Sequence, residues 1–68
     1  MTLSELRDSH YLTQREVAIY VGVATTTVSN WERGEQQPRV PQIRKLAELF
    51  KITPQEIDGV INETIAKK

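Results

Sequence analysis

Three features of the 68-residue sequence predict an all-α fold built from five short helices. Apolar residues recur at spacings of three and four almost throughout, the period of an amphipathic helix. Alternating strand-like runs are missing. Three Thr-x-x-Glu boxes, Thr2–Glu5, Thr13–Glu16 and Thr53–Glu56, stand ahead of apolar-periodic stretches. In each box the Thr oxygen can accept the backbone N–H three residues on, while the Glu reaches back to the Thr N–H.

The first helix is expected over about Leu3–Ser9, after the first box. The second spans about Gln14–Val21 and ends at Gly22, which takes a positive φ without steric cost. The third runs about Thr25–Arg33 and stops at Gly34. Gly34 to Pro41 reads as a loop, since one glycine and two prolines break it. The fourth helix covers about Pro41–Phe50. The fifth begins near Pro54, where a missing N–H costs nothing, and continues to about Ile65.

A chain of this length fits one domain, residues 1–68, with no room for a second. So small a domain buries only about 60% of the surface its unfolded chain exposes. A single core of this size supplies only ~3–5 kcal/mol, so self-association is a plausible source of added stability. There is no cysteine, which excludes disulfides and thiolate zinc sites. No signal peptide or membrane-spanning run is visible, and a cytoplasmic location is expected. Nine basic residues balance nine acidic ones. Net charge thus contributes little to binding a polyanion, and distribution matters more. Between Gln14 and Lys45, five basic residues face three acidic ones, so the middle is slightly basic.

Function is carried by Gln14 to Arg33. Val17, Ala18 and Val21 share one helical face, and Gly22 follows. Val23 is expected to point inward. Ala24, Val28 and Trp31 recur at four and three residues and are assigned to the buried side of the third helix. This is the pattern of two short helices joined by a tight glycine turn. The opposite face holds Thr25, Thr26, Ser29, Asn30 and Arg33. A solvated helix face ordinarily favours Glu, Lys, Gln and Ala, and successive Thr lowers helix propensity. Short hydrogen-bonding side chains suit a groove floor instead. Asn bonds bidentately to adenine, and Thr offers a methyl to thymine or a hydroxyl to either partner.

The stretch Leu12-Thr13-Gln14-Arg15-Glu16-Val17-Ala18, Gly22-Val23, Thr27-Val28-Ser29-Asn30-Trp31-Glu32-Arg33-Gly34 and Pro38 resembles the phage repressor/Cro-like (XRE-type) helix-turn-helix family. The resemblance covers about Leu3 to Ile57. It implies a compact five-helix, lambda-repressor-like DNA-binding domain, with the helix-turn-helix at residues 14–33 and the third helix in a major groove. It implies double-stranded DNA as partner, a homodimer on a two-fold symmetric operator, and no cofactor or metal. By the same resemblance Thr25, Thr26 and Asn30 read bases, with Ser29 a weaker candidate. Gln14 holds a phosphate at the start of the second helix, where free N–H groups help. Arg33 and Arg39 contact backbone, and Arg39 can approach a minor groove. The family often has Ser or Thr where this chain has Ala24. Either the third helix starts without a cap, or Thr25 caps it one residue later and leaves the base-reading set.

Other residues receive plainer readings. Trp31 is assigned to the core. Glu32 is expected to pair with Arg15 or Arg44 and brace the fold. His10 is read as a solvated loop residue with no partner for metal or acid–base work. Arg44 and Lys45 are either phosphate contacts or ordinary exposed charges, and Lys67 and Lys68 are expected to form a disordered end, Lys68 lying outside the described residues. Ile57, Val60, Ile61 and Ile65 form a stripe that either covers the domain's own core or makes a symmetric dimer contact through residues 54–66. The expected function is a transcriptional regulator of repressor type. An antitoxin-type protein-interaction module with the same fold is the alternative, and the lack of an appended tail favours a stand-alone regulator. An enzyme is not expected: one His, no Cys, no phosphate-cradling glycine loop and no paired acids leave no catalytic constellation.

Overall fold

All three Thr boxes close as written in the computed structural model, which describes residues 1–67. Thr2, Thr13 and Thr53 each accept the N–H of the Glu three residues on, at 3.1–3.2 Å. Glu5, Glu16 and Glu56 each take the Thr N–H in return, at 2.8–3.0 Å. They open α1 (Leu3–Ser9), α2 (Gln14–Val21) and α5 (Pro54–Ala66); α3 (Thr25–Glu32) and α4 (Val40–Phe50) complete the chain order. No strand occurs among the described residues.

Three boundaries differ from the sequence reading by one residue each, the simplest being α5, which ends at Ala66 and not Ile65. The third helix stops at Glu32, because Arg33 and Gly34 form its C-terminal cap and Gly34 adopts φ 73°. The Gly34 N–H then reaches the Trp31 carbonyl and the Glu35 N–H reaches that of Asn30, closing the helix end. The fourth helix begins one residue early, at Val40. Pro41 then occupies its second position, where the N–H it lacks would have had no partner. Gly59, a poor helix former, does not interrupt α5.

The core gathers Leu3 and Leu6 from α1, Val17 and Ala18 from α2, Val28 and Trp31 from α3, Leu46, Ala47 and Phe50 from α4, and Ile57 and Ile61 from α5. Fully burying one such aliphatic side chain contributes about 1.5–3 kcal/mol, set against the entropy of ordering the chain. Helix α3 is held between α2 on one side and α1 and α5 on others. The α5 stripe therefore divides. Ile57 and Ile61 are buried in the protein's own core, while Val60 and Ile65 are only partly covered. Buried Thr64 fastens this helix to α1: its Oγ1 accepts the Leu3 N–H and donates to the Val60 carbonyl, both at 2.8 Å.

A part-buried ion pair supplies another long-range brace, and it corrects an expectation. Glu32 pairs with Arg7 of α1, not with Arg15 or Arg44. Arg7 Nε lies 2.6 Å from Glu32 Oε2 and its Nη2 3.2 Å from Oε1, a bidentate fork. Arg7 Nη1 also donates to the Leu12 carbonyl at 2.8 Å. The hydrogen bond to Glu32 holds the Arg7 guanidinium even above its ordinary range. Arg15 and Arg44 are exposed. Arg7 follows Leu3 by one helical turn, which puts it at the edge of the buried face of α1.

Candidate nucleic-acid interface

The interface begins at the corner between α2 and α3. Gly22 adopts φ 86° and ψ 37°, and the N–H groups of Gly22 and Val23 both return to the Ala18 carbonyl. No atom lies within 4 Å of where a Cβ would stand on Gly22, so backbone conformation alone calls for glycine here. The turn packs α3 against α2, and Ala18 is buried.

Helix α3 then presents two different sides. Val28 and Trp31 are buried, as assigned. Ala24, placed on the same side by spacing, is instead exposed. Its backbone is extended (φ −72°, ψ 151°), so it stands before the helix and outside the rotation that turns Val28 and Trp31 inward. Ala24 is the N-cap, and no side chain caps this end. The uncapped alternative is therefore the one realised, and Thr25 lies within the helix as an exposed residue.

The outward side carries the candidate base readers. Thr25 and Thr26 are exposed at the first turn. Ser29 and Asn30 are half-buried one turn later. Arg33 is exposed and gathers them: its Nη1 donates to Ser29 Oγ and its Nη2 to Asn30 Oδ1, each at 2.5 Å. Glu35 holds Arg33 Nε at 3.1 Å. Gln36, from the following loop, accepts an N–H of Asn30 at 3.3 Å. Sequence spacing placed Asn30 and Arg33 on one face but did not include Gln36, because the loop returns over the helix end only after Gly34 takes a positive φ.

The backbone candidates flank this face. Gln14 is half-buried at the start of α2, and its Nε2 donates to Glu32 Oε1 at 2.9 Å. One of its two amide N–H groups is thus engaged, and the other remains for an anion. The Thr13 cap serves the Glu16 N–H, leaving those of Gln14 and Arg15 at the positive end of the helix. Arg39 is exposed at the N-cap of α4, where its backbone N–H is held by Gln42 Oε1 at 2.7 Å. Since Arg7 neutralises Glu32, the exposed acids of the 14–45 stretch reduce to Glu16 and Glu35. Lys45 is exposed, with Nζ 5.9 Å from the centre of the Tyr20 ring. His10 is exposed as expected, with its ring 5.1 Å from that of Phe50.

Comparison with known proteins matches residues 3–57 to a family model described as helix-turn-helix. The HTH-type transcriptional activator BcrR of Enterococcus faecalis is similar, with 31% identity over 55 residues. That match covers 81% of this chain and 27% of the relative, so the chain corresponds to about a quarter of that protein's length. No solved structure matches.

Proposed function

Because the chain belongs to the phage-repressor (XRE-type) helix-turn-helix family, we propose that it binds specific duplex DNA and acts as a transcriptional regulator. One observation carries this reading. The polar side of α3 leaves Thr25 and Thr26 open to solvent beside half-buried Asn30, while the indole of Trp31 is buried on the other side. A helix of this kind enters a major groove with its first residues toward the base edges. Thr25, Thr26 and Asn30 then read bases, with Ser29 contributing less. Gln14, Arg33 and Arg39 hold the backbone and fix the register.

We further propose a homodimer on a two-fold symmetric operator, with two copies of α3 about 34–36 Å apart in successive major grooves. The partly covered Val60 and Ile65 of α5 supply the apolar contact between copies. Such a dimer represses by occluding polymerase. The similar Enterococcus faecalis protein is named a transcriptional activator, so activation is the alternative sign of regulation.

Selection of bound duplexes from a random pool, at stated salt, tests the reading. An enriched, two-fold symmetric site is expected. Asn30→Ala should weaken that site by ~1–3 kcal/mol and relax it at one base pair, whereas Arg33→Ala should weaken all sequences and lower the salt slope by about one, with any loss of preference confined to the pair that Asn30 reads. A pool that stays random after selection refutes specific binding. Sedimentation that finds only monomer, both free and on the selected duplex, refutes the dimer.

A further inference from the structure

The hydrogen bonds around Asn30 hold its carboxamide in one orientation. Arginine only donates, so the amide atom facing Arg33 Nη2 must be the oxygen, Oδ1. The nitrogen Nδ2 then faces the loop, where Gln36 Oε1 accepts one of its protons. Arg33 is itself held from two further sides, by Ser29 Oγ and by the Glu35 carboxylate. Gln36 is placed by the closure of the helix end, in which the Glu35 N–H returns to the Asn30 carbonyl at 3.0 Å.

An Asn carboxamide has two N–H donors and two acceptor lone pairs. Arg33 and Gln36 use one of each. One donor and one acceptor remain, which matches the N7 acceptor and N6 donor of adenine in the major groove. An amide without such partners turns over at little cost, because its two ends are nearly equal in size. Turning over reverses the order of donor and acceptor along the groove. A held amide offers a single order and so accepts adenine on one strand only.

We infer that Gln36 is a positioning residue for sequence readout: by holding the Asn30 carboxamide with Arg33, it makes the protein distinguish an A·T pair from the reversed T·A pair. This rests on the DNA-binding reading above and adds to it a residue that touches no base.

The test uses the duplex selected by the whole chain and the base pair at which Asn30→Ala relaxes selection. That pair is reversed, and binding is compared for the wild type, Gln36→Ala and Gln36→Glu. The wild type should favour one orientation by about tenfold or more, and Gln36→Ala, in which Arg33 alone still holds Oδ1, should reduce that preference by about threefold or more. Gln36→Glu keeps an acceptor for Nδ2 but adds a negative charge near phosphate. It should retain the preference while weakening both duplexes alike. A role confined to charge or loop shape moves both variants together and does not separate affinity from preference. Full preference in Gln36→Ala, or equal loss in both variants, overturns the inference. If the wild type selects a duplex but Asn30→Ala relaxes no position, the inference falls and DNA binding stands. If the wild type selects nothing, both fall.

Discussion

Replacing Arg7 with Met should destabilise the domain severely, although Arg7 lies in none of the proposed DNA contacts. The side chains of Arg7 and Glu32 are 16% and 8% exposed, so water screens the pair little. Met preserves the stem but removes the bidentate fork to Glu32 and the bond to the Leu12 carbonyl. Glu32 keeps only the Gln14 amide as partner. Leaving one member of a fully buried pair uncompensated costs about 3–5 kcal/mol, and this part-buried pair falls at or below the lower end of that range. A core of this size supplies only ~3–5 kcal/mol of net stability, so Arg7→Met should lose more than half of it at 25 °C. Arg7→Met combined with Glu32→Leu removes both charges and should recover most of the loss. What remains is the unpaired Leu12 carbonyl and Gln14 amide, about 1 kcal/mol each. Urea denaturation followed by far-ultraviolet circular dichroism and by Trp31 fluorescence measures all three proteins, and coincident transitions justify a two-state treatment. A single variant within ~0.5 kcal/mol of wild type would refute the assignment, since losses that small are typical of exposed pairs. So would a double variant no more stable than the single.

Three further outcomes follow from local structure. Ala24→Ser should supply the cap that α3 lacks and add about 1 kcal/mol, read as a higher melting temperature; an unchanged or lower value contradicts the N-cap assignment. Gly22→Ala meets no steric neighbour but keeps φ at 86°, so it should lose about 1–2 kcal/mol from strain alone, and a neutral result would show that the turn relaxes. The Glu5 carboxyl is held below its ordinary range by the Thr2 backbone N–H and then by the Thr2 hydroxyl. A depressed carboxyl stabilises the fold above its unfolded pKa, and that contribution disappears as pH falls through the folded value. Melting temperature should therefore fall less steeply for Glu5→Gln than for wild type below about pH 4; parallel curves would remove Glu5 from the acid response.

Local chemistry made much of this protein legible in one dimension. The Thr boxes, Gly22 and the apolar spacing depend on neighbours within four residues, so helix count, order and most boundaries follow from the sequence alone. The outward face of α3 was legible for the same reason: Thr25, Thr26, Asn30 and Arg33 share a face by helical geometry whatever packs behind them. Tertiary structure decided contacts between residues far apart in the chain. The sequence offered Glu32 either Arg15 or Arg44, and the packing of α1 against α3 selected Arg7 instead. The Ile stripe of α5 was periodic in either role, and the fold placed Ile57 and Ile61 inside while leaving Val60 and Ile65 at the edge. Gln36 reached Asn30 because Gly34 turned the chain back over the helix end. Periodicity records which side chains share a face; which partner that face meets depends on chain reversals whose direction no short window of sequence contains.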